Sequence, residues 1–249
     1  MRLIFIPIAG IILTGFAFFT KSREAERTAE APISKQEDQR FVVHEADITQ
    51  GNLRMYWQDD NGPLQTFDNL RKHVEKQNLT LTFAMNGGMY LQDHSPQGLY
   101  IENGKVIRPL NTKTSDYGNF YLTPNGVFYL TDNNQAVVCK TKDFEPSTAI
   151  AYATQSGPML LIDSTIHPKF TQGSKNVHIR NGVGILPNGN PLFVISTERV
   201  NLYDFASFFK KHGCKNALYL DGFVSRIYWP AQQLEQMDGH FGVLIAEVE

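Results

Sequence analysis

Past its first charged stretch, the chain mostly alternates short apolar runs with turn residues, the pattern of strands joined by tight connections. Phe41–Glu45 and Leu53–Trp57 are the first such runs. Phe67, Leu70 and Val74 then recur at helical spacing, predicting a helix ahead of a strand over Leu79–Met85. Asn-Gly pairs stand between apolar runs at Asn103-Gly104, Asn125-Gly126 and Asn188-Gly189. Such pairs readily adopt positive φ, so each predicts a hairpin. The paired strands would be Leu99–Ile101 with Val106–Ile107, Phe120–Leu122 with Val127–Leu130, and Val183–Leu186 with Leu192–Ile195. A second helix is better marked: Asn201 caps it, Leu202, Phe205, Ala206 and Phe209 line one face, and Gly213 ends it. It leads into an apolar run, Ala217–Leu220, that stops at Asp221-Gly222. Hairpin signals without regular strand–helix alternation predict a single α+β domain from about Phe41 to Glu249, with a mostly antiparallel sheet and a few packed helices.

The N-terminus departs from this pattern. Leu3–Phe19 is apolar apart from Gly and Thr and lies between Arg2 and Lys21. At about 1.5 Å per residue it just reaches across a bilayer core. Residues 1–20 therefore read as a signal peptide or membrane anchor, which would make the domain extracytoplasmic, periplasmic or secreted. A small-x-small site appears only far downstream, at Ala29-Glu30-Ala31, and with no Cys near the run lipoprotein processing is excluded. Lys21, Arg23 and Arg27 outnumber Arg2, which argues in the opposite direction, for a cytoplasmic C-terminal side. Lys21–Arg40 is polar and charge-mixed, with almost nothing to bury, and reads as a tether.

Composition narrows the classes further. A chain of 249 residues, 42% hydrophobic and 12% aromatic, has ample material for one core. A net charge of −2 and the absence of a long basic run argue against a nucleic-acid partner. The only cysteines, Cys139 and Cys214, could form one bridge outside the cytoplasm, but they define neither a disulfide scaffold nor a zinc site and read rather as ordinary, partly buried thiols. The seven histidines show no HExxH or paired ligand spacing, so no metal and no cofactor are expected.

Candidate chemistry sits where strands end. An acid such as Asp221 at the end of a buried strand has its backbone fixed and its side chain free at a turn; the alternative is an Asx-turn that only caps its own backbone. Asn86-Gly87-Gly88 follows an apolar strand, and its glycines let a ligand approach backbone N–H groups. Asn86 adds a donor and an acceptor suited to sugar hydroxyls, against the alternative of a plain turn. Gln155-Ser156-Gly157-Pro158 switches from polar to apolar on entering another strand and would present Ser156 to a cleft. Arg180, ahead of the glycine-rich Asn181-Gly182-Val183-Gly184, offers a planar fork for phosphate or carboxylate, or is a surface arginine on an edge strand.

At these segments the chain resembles the phosphodiester glycosidase family. Members typically carry Asn-Gly-Gly-x-aromatic, a Gly-Pro before a strand, an Arg shortly followed by Gly, and Asp-Gly-x-x-Ser after a helix. Here these are Asn86–Tyr90, Gly157-Pro158, Arg180 with Gly184, and Asp221-Gly222 with Ser225, in that order. Phe223 and Val224 replace further glycines, and Asn181-Gly182 replaces the usual Thr-Ala, so the match is closer to a bacterial branch.

The resemblance implies hydrolysis of a glycosyl phosphodiester, with a phosphate-linked sugar or glycan as partner and the membrane approached only through the N-terminal segment. Phosphate is a good leaving group, so the demands are to hold its charge and to deliver water or a carboxylate to the anomeric carbon. On that basis Arg180 is expected to hold the phosphate. Asp221 is expected to serve as base or nucleophile, and Glu198 as the second carboxylate. Asn86, Gly87, Gly88, Ser156, Gly157, Gly222 and Ser225 would orient substrate oxygens. A non-catalytic glycan-binding module of the cell envelope on the same scaffold and a phosphodiesterase cutting on the phosphorus side are the alternatives.

Overall fold

The computed structural model describes residues 38–221 and 224–249, together with Met1. The expectations attached to Leu3–Phe19, and to the tether as far as Glu37, lie outside the described residues, as do Gly222 and Phe223. Among the described residues no helix is long and apolar enough to cross a membrane. Asp38–Glu249 forms one unit.

In chain order its strands begin with β1 (Phe41–Glu45), β2 (Leu53–Tyr56), β3 (Gln58–Asp59), β4 (Gly62–Pro63), β5 (Leu81–Asn86), β6 (Tyr100–Glu102) and β7 (Lys105–Arg108). Then come β8 (Gly126–Thr131), β9 (Ala136–Lys140), β10 (Ile150–Ser156), β11 (Met159–Ile162), β12 (Thr165–Ile166), β13 (Asn181–Ile185) and β14 (Pro191–Ser196). The last are β15 (Ala217–Asp221), β16 (Ile227–Trp229), β17 (Leu234–Glu235) and β18 (Leu244–Val248). Helices α1 (Phe67–Glu75) and α2 (Leu202–Lys211) complete the α+β domain.

One sheet runs β1-β14-β13-β15-β11-β12, a second β7-β6-β10-β8-β9 and a third β17-β16-β5-β18-β2; β3 and β4 form a separate hairpin. Neighbouring strands pair antiparallel, as in β13 with β15 and β5 with β18. Alternation along the strands decides what each face covers. Leu218 and Leu220 of β15, Phe83 and Met85 of β5 and Phe128 of β8 meet in one central core shared by the three sheets. The intervening Ala217 and Tyr219 face the other way, against Phe205 and Phe209 of α2. Ala84 of β5 and Leu244 and Ala246 of β18 pack with Phe67, Leu70 and Val74 of α1.

Both helices start at the expected kind of residue. The Thr66 hydroxyl accepts the Asn69 amide of α1 at 3.1 Å, and Asn201 Oδ1 accepts the Asp204 amide of α2 at 2.8 Å. Gly213, at φ 82, follows the end of α2. Asn103 and Gly104 take φ 49 and 74 in the predicted β6–β7 hairpin, and Gly189 takes φ 92 between β13 and β14.

The Asn125-Gly126 hairpin is a correction. Asn119–Tyr121 is a 3₁₀ turn rather than a strand, because Asn125 Nδ2 reaches back to the Phe120 carbonyl at 3.0 Å. Gly126 instead opens β8, whose partners are β9 and β10. The strand placed at Leu79–Met85 is shifted to Leu81–Asn86, and Trp57 falls outside β2. Both cysteines are free.

Candidate active site

Strand ends converge on Asp221. β13 and β15 run antiparallel, so Asn181 at the start of β13 lies opposite Asp221 at the end of β15. From the third sheet, Asn86 ends β5 and contributes Nδ2 to Asp221 Oδ2 at 3.5 Å, a long contact. The hub is Asn181, which is fully buried. Its Nδ2 donates to the Asn86 carbonyl at 2.8 Å and to Asn86 Oδ1 at 3.1 Å. Its Oδ1 accepts the Asp221 amide at 3.0 Å and the Ser225 hydroxyl at 3.3 Å. Asn86 Oδ1 also accepts the Arg226 amide at 2.8 Å, and the Ser225 hydroxyl donates to the Asp221 carbonyl at 2.9 Å. One amide side chain therefore ties two sheets and the loop after β15 together around a carboxylate that is only 6% exposed.

The charge of Asp221 is felt by two phenols. Burial, and then the Asp221 carboxylate, push the Tyr90 hydroxyl up to about 12. Burial also raises Tyr219 to about 12, with Arg180 opposing and Asp221 adding to the rise. Both phenols remain protonated at neutral pH.

The remaining predicted residues divide. Gly87 and Gly88 are where the backbone must pass closely: a Cβ on Gly87 would lie 2.9 Å from the Val243 side chain. A Cβ on Gly88 would overlap the Thr154 hydroxyl and lie 2.9 Å from the Gln155 carbonyl. Ser156, at the end of β10, donates to the Leu220 carbonyl at 2.6 Å and so braces β15 one residue before Asp221. A Cβ on Gly157 would lie 2.7 Å from the Asn125 side chain, so this stretch is closed by packing. Gly222 lies outside the described residues.

Arg180 is neither a surface arginine nor an open fork. It is 1% exposed. Nε donates to the Val200 carbonyl at 2.7 Å, Nη1 to the Tyr219 hydroxyl at 2.8 Å, and Nη2 to the Asn176 carbonyl and Oδ1, each at 2.9 Å. All its side-chain nitrogens already bond protein oxygens. The guanidinium also lies 5.3 Å from the centre of the Tyr219 ring.

Glu198 is exposed on the loop after β14 and makes no hydrogen bond or ion pair with Asn86, Asn181 or Ser225 among the described residues; its charge is felt by Arg40. Asn181 is the addition that the geometry makes, and Tyr90, which closes the Asn86–Tyr90 motif, is drawn in beside it. A buried amide at the head of an otherwise apolar strand was the signal available for Asn181. Among the described residues no group of three or more His, Cys, Asp or Glu side chains is placed to hold a metal ion.

Comparisons with known proteins agree with this architecture. Residues 80–240 match the family described as phosphodiester glycosidase. The Escherichia coli protein YigE is 40% identical over 178 residues, covering 71% of this chain and 69% of its own. A solved structure of the zebrafish N-acetylglucosamine-1-phosphodiester alpha-N-acetylglucosaminidase catalytic domain, auto-inhibited by its pro-peptide, superposes with a TM-score of 0.57 at 14% identity, covering 83% of this chain and 82% of that one. A hypothetical protein from Synechocystis gives a TM-score of 0.51 at 14% identity, covering 84% of this chain and 58% of that one. At such identities the two superpositions speak for the fold alone.

Proposed function

The chain belongs to the phosphodiester glycosidase family, and from that premise we propose that it hydrolyses a glycosyl phosphodiester, releasing a sugar from a phosphate-linked partner. The observation that carries this reading is the junction of Asp221, Asn86, Asn181 and Ser225, in which separate strands hold one carboxylate at an end of the sheets. Asp221 acts as base toward water, or as nucleophile, at the anomeric carbon. Asn86 orients that carboxylate, and Asn181 fixes the backbone from which it projects. Gly87 and Gly88 let the chain leaving β5 pass close against Val243 and Thr154. The Gly87 amide donates to the Val243 carbonyl at 2.7 Å, which fixes the position from which Asn86 reaches Asp221. Tyr90, a protonated phenol within the field of Asp221 whose hydroxyl donates to the His240 carbonyl at 2.7 Å, is the added candidate to accept from a sugar hydroxyl. Arg180 contributes a positive field through Tyr219 and holds that end of the sheet in shape, in place of the open phosphate fork expected from sequence. Glu198 carries no role in this scheme.

The test is incubation with a chromogenic glycosyl phosphodiester in isotopically labelled water. Hydrolysis at the anomeric carbon places the label on the released sugar and leaves the phosphate unlabelled. Label on the phosphate would reassign the protein as a phosphodiesterase, and no turnover would leave the glycan-binding alternative. We also propose that Leu3–Phe19 directs the domain out of the cytoplasm, where envelope glycans lie. An alkaline phosphatase fusion placed after Arg40 should be active; an inactive fusion beside a working cytoplasmic reporter would overturn the assignment and uphold the flanking-charge argument.

A further inference from the structure

Away from the Asp221 junction, a cleft of about 620 Å³ opens between the β3–β4 hairpin, the last turn of α1 and the β6–β7 hairpin. Its size falls within the range of about 300–1,000 Å³ that ligand sites occupy. Two of its walls are apolar: the half-buried Trp57 indole and the side chain of Ile107, which is 43% exposed on edge strand β7. The lining also includes Gln58, Asp60 and Lys105, exposed side chains with no hydrogen-bond or ion-pair partner among the described residues. The carboxylates of Asp59, Asp60 and Glu102 outnumber the ammonium groups of Lys76 and Lys105, so the lining disfavours an anion. Planar amides and carboxylates beside an indole suit a neutral, polyhydroxylated ligand with apolar ring faces.

The cleft is wired to the reaction end. Trp57 Nε1 donates to the His94 carbonyl at 2.9 Å. The His94 ring stacks on Tyr90, with centroids 5.1 Å apart and planes at 15°, and Tyr90 is one of the two phenols that feel Asp221. We propose that this cleft is a saccharide subsite that holds a non-reacting part of the substrate glycan, with Trp57 and Ile107 against its rings and Gln58 and Asp60 on its hydroxyls. The class of ligand rests on the glycan reading above, while the subsite itself is defined by residues outside the candidate active site.

The experiment uses the full chain carrying Asp221→Asn, titrated with chitotetraose and with maltotetraose and followed by tryptophan fluorescence and calorimetry. One of the two should bind saturably. Adding Gln58→Ala with Asp60→Ala should weaken that binding by about tenfold or more, as expected for two lost hydrogen bonds. The unfolding midpoint should be unchanged, because neither side chain has a partner in the fold. Failure of both sugars to bind, or binding that the double variant leaves intact, would overturn the subsite. If binding behaves as expected and no glycosyl phosphodiester is turned over by the unsubstituted protein, the subsite stands and the catalytic reading falls. If turnover is found without such binding, the subsite alone is withdrawn.

Discussion

Replacing Asn181 with alanine tests whether one buried amide organises the site. The substitution removes donors to the Asn86 carbonyl and Oδ1 and the acceptor for the Asp221 amide and Ser225 hydroxyl. The losses are unequal. Asn86 Oδ1 keeps the Arg226 amide, and the Ser225 hydroxyl keeps the Asp221 carbonyl. The Asp221 amide and the Asn86 carbonyl lose side-chain partners where water has little access. A buried group left unpaired costs about 1–3 kcal/mol, so the pair should cost about 2–6 kcal/mol. For a domain of this size that is a fall in Tm of about 4–24 °C, or a matching shift in urea midpoint at unchanged m. Ser225→Ala is the control: it removes one hydroxyl donor while Asn181 Oδ1 keeps the Asp221 amide, and should cost about 1 kcal/mol. On a confirmed substrate, Asn181→Ala should also lose between about ten- and a hundredfold in kcat, because the backbone of Asp221 is no longer pinned. A destabilisation under about 0.5 kcal/mol, or no greater than that of Ser225→Ala, would refute the hub.

Two further expectations follow from buried polar groups. Arg180→Lys keeps the charge but loses the Nε bond to Val200 and the paired contacts to Asn176, so it should destabilise by about 2–4 kcal/mol in thermal melts; a melt unchanged from the parent would show those bonds to be dispensable. His167 is neutral in the fold, with Nε2–H donating to the Thr123 carbonyl and Nδ1 accepting the Lys169 amide, and burial holds it below the ordinary histidine value. The unfolded chain therefore takes up that proton first, so the stabilisation is complete above about pH 6.5 and falls as pH drops toward the lower folded value. The stability advantage over His167→Gln should shrink between about pH 7.5 and 5, and an advantage constant with pH would contradict this.

What the sequence made legible was local. The helices over Phe67–Glu75 and Leu202–Lys211, the cap at Asn201 and the turns at Asn103-Gly104 and Asn188-Gly189 all depend on neighbours within a few residues. Asp221 stood out because the apolar run of β15 stops at it. What was not legible depends on partners far along the chain. Asn125 was read as a hairpin residue, yet its side chain engages the Phe120 carbonyl. The fork of Arg180 was read as free, since nothing near it in sequence announces Tyr219. Asn181 registered only as a departure from a familiar pattern, because its importance lies in contacts with residues 40 and 95 positions away. A periodicity shows which face of a strand is buried, but not which carbonyl an amide will meet.

The central claim is that the Asp221 carboxylate performs the chemistry, and Asp221→Asn tests it most directly. The substitution keeps the shape and removes the charge, so the fold should persist, as judged by circular dichroism and an unchanged urea m value. The unsubstituted protein and the variant are assayed side by side on a glycosyl phosphodiester from which the unsubstituted protein releases sugar. The account predicts a fall in kcat of at least about a hundredfold in the folded variant. A folded Asp221→Asn protein that retains full turnover would contradict it, and the mechanism built on this carboxylate would have to be withdrawn while the family assignment stands.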